Sequence, residues 1–555
     1  MSEELCRATE SLNFENELLC CLLFLEFTIF TEIMVWSHPR KLLSEIYQQH
    51  PSTKSLMLFS KTFVTHYYSF LTIISLLLSK SSAWVPSTLL KKMGILGSKP
   101  VPSPAEDAWK IEGQALRDKY IDPHHLTEPM FKAIVEVAKE YGEGFSPDGG
   151  LLPGLHKYLG GATDPRDGCI YGIPSHSKSL ICLYPENGVY KVRFEPLPEH
   201  AATGKFKWLR GIIAHGYLYG IPAWANSVLE VDIDAMWGKR EAKGNIINLI
   251  PLPDGHISSQ WQWHGASLNN EKTAIYAIPS NAQKVLKVDL NTHTTSFIDI
   301  EVPEKFTNFN IEHTNKWYGG ILGDDNAVYG MPYRTCSLLR IDTATDTASL
   351  VGPDHGCQLY NWHGGLKRNG MIYAFPSHAD TVLKIDTTEA SKGQNCTLLE
   401  IHRAAYDNDL AKNYKWLGGS IGEDGHIYAM PADASTVLKI NVTTDHCSTF
   451  GFVGKEKNKW QGGVLASDGC VYAIPANGRH VLRIDTRSKI GEGENPLQLL
   501  GNLPDRKDKW QGAFIGTDGN MWAIPECGYR ILRVSPSAER PENDDVPKDI
   551  KVEFM

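Results

Sequence analysis

The residues with chemistry to offer fall at repeating positions. Directly after a recurrent aromatic come Leu209, His264, Tyr318, His363, Leu417, Gln461 and Gln511, and Arg210 stands one place further on in its copy. Just after a recurrent proline come His176, Trp224, Asn281, Arg334, His378, Asp433, Asn477 and Tyr529. Side chains of these types hydrogen-bond, stack on rings and pair with anions, which is the chemistry of a binding surface. Arg210, His264, Tyr318 and His363 are the central candidates, with His176, Trp224, Arg334, His378, Gln461 and Gln511 around them. Taken one at a time, His264 and His363 read as residues that pack or hydrogen-bond locally; only convergence in space would make them a site. No catalytic residue is assigned. No ligand spacing supports a metal, and no phosphate loop, nucleophile elbow or zinc-protease motif occurs, so no cofactor is expected.

The framework that must position these residues is a repeat. Its aromatic anchors are Tyr158, Trp208, Trp263, Trp317, Trp362, Trp416, Trp460 and Trp510. An apolar run ends at Pro174, Pro222, Pro279, Pro332, Pro376, Pro431, Pro475 and Pro525, with successive prolines 44 to 57 residues apart. Eight copies of this length predict an all-β chain, a β-propeller of about eight four-stranded blades. Gly319-Gly320, Gly364-Gly365, Gly418-Gly419 and Gly462-Gly463 remove side chains where innermost strands crowd an axis. Asp424-Gly425, Asp468-Gly469 and Asp518-Gly519 predict tight turns between two apolar runs. The anchors, glycines and prolines are therefore read as blade builders. If the anchored strand is innermost, its start and the turn after the proline share one face, and the Asp-Gly turns lie on the other. Variable polar and aromatic loops gathered on one face of a constant scaffold are where a ligand or partner would bind.

The Gly-Gly and aromatic positions resemble kelch-type propellers, although here the Trp precedes the glycine pair. The blade text Asp-Gly-x-Val-Tyr-Ala followed by Val-Leu-Arg-Ile-Asp is similar to quinoprotein-like propellers. Both resemblances imply architecture; propellers host many activities. The repeat region has no vicinal cysteine pair of the kind a quinone site uses. The expectation is a non-catalytic scaffold for a protein or glycan partner. The alternative is a propeller enzyme (lyase, hydrolase or quinoprotein-like oxidoreductase) with its site at the channel mouth.

A chain of 555 residues has room beyond the repeats, and a net charge of −9 gives no footprint for nucleic acid. Its eleven cysteines follow no CxxC spacing, leaving only isolated disulfides open. The domain reading is 1–56 an extension, 57–103 a targeting segment and linker, 104–145 a small helical segment, and 146–555 the propeller. Leu18–Phe30 is apolar, but Glu17, Glu26 and Glu32 disfavour a membrane span. Lys61, an apolar Ser69–Ser79 and Ser81-Ser82-Ala83 have the form of a signal peptide with its cleavage site. Ser82-Ala83-Trp84-Val85-Pro86 resembles the presequence cleavage motif of complex plastids. The secretory pathway or such a plastid is expected if 57–84 is a signal, and the cytoplasm otherwise. The polar tail ends in Ile550-Lys551-Val552-Glu553-Phe554, whose alternation predicts a strand that completes the last blade or pairs with the first.

Overall fold

The computed structural model describes residues 152–536 and 551–554, apart from 153, 257, 357–359, 405–412 and 488–495. The readings of 1–56, 57–103 and 104–145 lie outside the described residues. Each repeat folds as a four-stranded antiparallel sheet whose strands neighbour one another in chain order. The eight blades span 158–196, 208–251, 263–298, 317–351, 362–402, 416–450, 464–500 and 514–554. The last is completed by Lys551–Phe554 pairing with Leu532–Ser535, so the tail closes its own blade rather than the first. Two outer edges also join in parallel: Ile300-Glu301 runs along the edge of blade 4, and Ile401-His402 along that of blade 6. Short helices α1 (Glu199–Ala202) and α2 (Ile233–Met236) lie between strands, and Asp232 caps α2 by accepting the Ala235 N–H at 2.9 Å.

The hydrophobic core is radial. One apolar cluster fills each blade interface, always between the anchor of one blade and the middle strands of the blade before it. Trp208 packs on Tyr171 and Leu180, Trp263 on Tyr219 and Val228, and Trp416 on Tyr373 and Val382. The eighth cluster sets Tyr158 and Ile170 of blade 1 against Trp522 and Ile524 of blade 8, which closes the ring. Burial of one such aromatic contributes on the order of 2–3 kcal/mol. The indole N–H groups are also satisfied; those of Trp208 and Trp317 each donate at 2.8 Å to a backbone carbonyl of their own blade. The anchors are therefore committed to packing.

Innermost strands touch their neighbours around the axis, and this explains the glycines. Gly265 adopts φ +106°, and a Cβ there would meet the Gly319 carbonyl oxygen at 1.4 Å. At Gly418 (φ +73°) it would lie 2.8 Å from the Gly462 Cα. The strand register shifts at this point in blades 1 to 6, a bulge opening with a left-handed residue.

A second tie between blades is polar. The residue before the anchor is Lys157, Lys207, Lys316, Lys415, Lys459 or Lys509 in six blades, and all six are buried. Each reaches into the turn after the proline of the preceding blade. Lys459 Nζ donates to the carbonyls of Ala432, Ala434 and Glu456 at 2.8–3.0 Å, and Lys509 Nζ to those of Ala476, Gly478 and Arg506. Lys157 does the same across the closure, donating to Glu526 and Gly528 of blade 8. In blade 3, Gln262 substitutes an amide that donates to Ala225 at 2.9 Å. Lys509→Ala would strand three buried carbonyls. We expect it to lower stability by about 2–4 kcal/mol, read as the shift in denaturant midpoint, whereas an exposed control such as Lys455→Ala moves it by less than about 0.5 kcal/mol.

Candidate functional site

The strand order places the start of each inner strand beside the turn after the proline, and hydrogen bonds lock the two together. The N–H of the second residue after the proline donates to the carbonyl of the residue two before the anchor. This occurs for His176 to His156, Trp224 to Phe206, Asn281 to Trp261, His378 to Tyr360, Asp433 to Tyr414 and Asn477 to Asn458, all at 2.9–3.0 Å. In blade 4 the Arg334 N–H donates instead to Lys316 at 3.2 Å. The residue two before the anchor is left-handed in every blade: His156, Phe206, Trp261, Asn315, Tyr360, Tyr414, Asn458 and Asp508 have φ between 47° and 59°. Asn and Asp tolerate that region, whereas bulky aromatics there are strained and hold their rings at fixed angles.

Three groups of rings result. At the start of the inner strands, His264 stacks on Tyr318 with centroids 3.8 Å apart and planes 7° from parallel. Tyr333 stacks on the other face of this pair, 4.1 Å from Tyr318. His363 stands edge-on to Tyr318 at 4.9 Å and to His264 at 5.7 Å. A second group centres on Phe206, which contacts His176 at 4.4 Å, Trp224 at 4.9 Å and Trp261 at 5.0 Å. It packs over Leu159, Leu209 and Ala223. In the third, His378 lies edge-on to Tyr360 and Tyr414, and Tyr360 returns to Tyr333 at 4.9 Å.

Arg210 is the residue in the wrong place for its backbone. Seven blades put a left-handed glycine there, and blade 2 holds arginine at φ +62°. Its side chain is solvent-accessible yet surrounded by protein, and that burial pulls the guanidinium below its ordinary value. The same positive charge acts on both central histidines. Burial first, then His363 and Arg210, push His264 well below the usual imidazole range. Burial, then Arg210, push His363 down to about 4. Both rings are neutral at neutral pH, and no carboxylate is among the charges acting on them or on Arg210. Buried polar atoms without a hydrogen-bond partner among the described residues include Trp224 Nε1, His264 Nδ1 and Gln511 Oε1.

Of the residues singled out from sequence, His264, Tyr318 and His363 thus share one cluster, on whose histidines the charge of Arg210 acts, His176 and Trp224 share a second, and His378 lies in a third. Arg334 and Gln461 bond within their own loops, to Thr314 Oγ1 at 3.3 Å and Asn458 Oδ1 at 2.5 Å. Phe206, Trp261, Tyr333, Tyr360 and Tyr414 had not been singled out. Four of them belong to a triplet visible in the text, an aromatic, then Lys, Gln or Asn, then Trp. Seven cysteines among the described residues are free thiols. Among those residues no helix is long and apolar enough to cross a membrane.

No family model and no curated protein sequence matches the chain. Among solved structures, virginiamycin B lyase from Staphylococcus aureus is similar over 68% of this chain and 94% of its own, at 12% identity and TM-score 0.40. A streptogramin B lyase is similar over 68% and 93%, at 13% identity and TM-score 0.39. The computationally designed Ika8 protein is similar over 68% and 96%, at 10% identity and TM-score 0.45. Similarities of this size carry no information about activity.

Two outcomes follow from the geometry. Arg210→Gly relieves a left-handed side chain, so it should stabilise the fold by about 1 kcal/mol in thermal or denaturant unfolding. The histidines set a pH effect. Their folded-state values lie below the unfolded value near 6.5, so between about pH 6.5 and 4 the unfolded chain binds more protons and stability falls as pH drops. Across that window His363→Gln should reduce the loss by on the order of 1–2 kcal/mol; parallel pH profiles of wild type and variant would show no link to His363.

Proposed function

We propose that this protein is a non-catalytic propeller that binds an anionic, ring-bearing group on the face carrying the anchor starts and the turns after the prolines. The observation that supports it most is Arg210, a strained cation without a carboxylate acting on it, whose charge acts on His264 and His363 beside the stacked rings of Tyr318 and Tyr333. Aromatic walls with a few placed polar groups are the usual make-up of a ligand site, and rings hold flat ligands at low entropic cost. A guanidinium that is surrounded by protein yet open to solvent can pair with an anion through charge-assisted hydrogen bonds. The orphaned N–H of Trp224 and the open Nδ1 of His264 supply further polar contacts. An acidic sugar of a glycan is the occupant we favour. An acidic peptide segment with aromatic side chains is the competing occupant.

A second reading, as an enzyme, draws on the two neutral histidines beside Arg210, since a neutral imidazole can take a proton. It is the weaker reading because no acid acts on either ring to orient it or to complete an acid–base pair. The likeness of the blade text to kelch-type and quinoprotein-like propellers bears on architecture and adds nothing to either reading.

Binding of the full chain to acidic glycans, neutral glycans and acidic aromatic peptides tests the proposal. Acidic glycans should bind with an affinity that falls as salt rises. Arg210→Gly and Trp224→Ala should each weaken binding about tenfold or more, Arg210→Gly while gaining stability. Binding of the peptides alone would replace the glycan reading, and variants that bind every ligand as wild type does would end the proposal.

A further inference from the structure

The junction of the last blade with the first departs from the repeat at three positions at once. Where other blades place Ser175, Ala223, Ser280, Tyr333, Ser377, Ala432 and Ala476 after the proline, blade 8 places Glu526. At the next position Asn281, Asp433 and Asn477 each use a side-chain oxygen to accept the N–H of the following blade's rim residue, at 2.7–2.8 Å. Blade 8 has Cys527 there, and its Sγ takes the same N–H, that of His156, at 3.3 Å. The rim residue of blade 1 is the only histidine at its position.

These three departures converge. His156 Nδ1 lies 2.7 Å from Glu526 Oε1 and 3.7 Å from Cys527 Sγ, and one donor atom from each residue falls within 4.8 Å of the other two. Glu526 and Cys527 are buried, while His156 is partly exposed and gives a route in from solvent. The backbone of both buried residues is held. Lys157 Nζ donates to the carbonyls of Glu526 and Gly528, and Arg506 Nη1 donates to that of Cys527.

We propose that His156, Glu526 and Cys527 form a binding site for one divalent transition cation of zinc type. The donor set decides the class: sulfur, imidazole nitrogen and carboxylate oxygen together suit a borderline ion such as Zn2+ and not Mg2+ or Ca2+. Metal–donor bonds of about 2.0–2.3 Å in a tetrahedron set neighbouring donors roughly 3.3–3.7 Å apart. The nitrogen–sulfur pair already stands at 3.7 Å, and the nitrogen–oxygen pair, at 2.7 Å, has to open by roughly half an ångström to reach that spacing. Three protein donors leave a fourth position for water or a ligand atom. The thiol proton and any proton on Nδ1 leave to solvent as the ion binds. Because the donors come from blades 1 and 8, the ion would clamp the ring at a junction that no strand crosses among the described residues.

The test uses the full chain stripped with a chelator. It should take up one equivalent of Co2+ with a thiolate-to-cobalt charge-transfer absorption, Zn2+ should displace the cobalt, and Zn2+ should raise the unfolding temperature. Cys527→Asn restores the oxygen acceptor that other blades use. It should fold, lose the charge-transfer band, and bind Zn2+ weaker by roughly a hundredfold. A wild-type chain that binds Co2+ without a thiolate band, or a Cys527→Asn chain that binds Zn2+ like wild type, would overturn the proposal. The wild-type spectrum decides alone if that variant does not fold.

Discussion

The channel face depends on where a row of buried ammonium groups can reach. Turns after the prolines point their carbonyls into a space sealed from water by the next blade's anchor, and buried carbonyls without partners are costly. Lys157, Lys207, Lys316, Lys415, Lys459 and Lys509 answer this with flexible stems and multiple donors each. Burial opposes the charge, drawing Lys316 and Lys509 down to about 8. The carbonyls oppose that, because hydrogen bonds to the charged form favour it. The balance need not contribute much net stability to matter. It fixes the separation of neighbouring turns, and the separation of the turns fixes the rim.

With the turns fixed, rim side chains are free to differ. Their backbone is specified twice, by the left-handed φ of the residue two before the anchor and by the N–H that residue accepts. Nothing in that scheme consults the side chain except through strain, which asparagine and aspartate escape and aromatics do not. Blades 4, 7 and 8 take the unstrained choice with Asn315, Asn458 and Asp508. Blades 1, 2, 3, 5 and 6 hold rings there instead. Strain accepted in five blades and avoided in three marks a division of labour: an architecture of eight equivalent blades carries a chemically one-sided face.

Much of the fold was legible because it rests on residue types with few alternatives. Only glycine permits the approach of inner strands at Gly265 and Gly418, the recurrent proline ends the second strand of its blade at Pro222, Pro279 and Pro332, and Asp-Gly announces its turn. Strand order followed, and with it the face on which His264, Tyr318 and His363 meet. The lysines were not legible for a physical reason: a lone lysine beside a tryptophan reads as a solvated surface charge, and only the ring of blades encloses it. The left-handed aromatics were hidden because φ leaves no mark on residue type when the side chain is bulky. Their stacking needed coordinates, since Tyr333 and Tyr360 come from different blades.

The junction between blades 8 and 1 was the least legible, and it is where the architecture demands most. Many rings could be latched by lending a strand from one end of the chain to the blade at the other. Here Lys551–Phe554 stays with its own blade, so closure relies on the Tyr158–Trp522 packing layer, on Lys157, and on Tyr190, whose hydroxyl accepts the Thr517 N–H at 2.8 Å. Side-chain contacts of that kind hold two blades together but leave their relative tilt softer than a shared sheet would. Each rim residue hangs from its own blade, so a change of tilt at this seam moves His156 and its neighbours His176 and Phe206 against blade 8. The aromatic group of blades 1 to 3 therefore inherits its outer boundary from the seam. Whatever fixes Glu526 and Cys527 against His156 fixes the edge of that group as well.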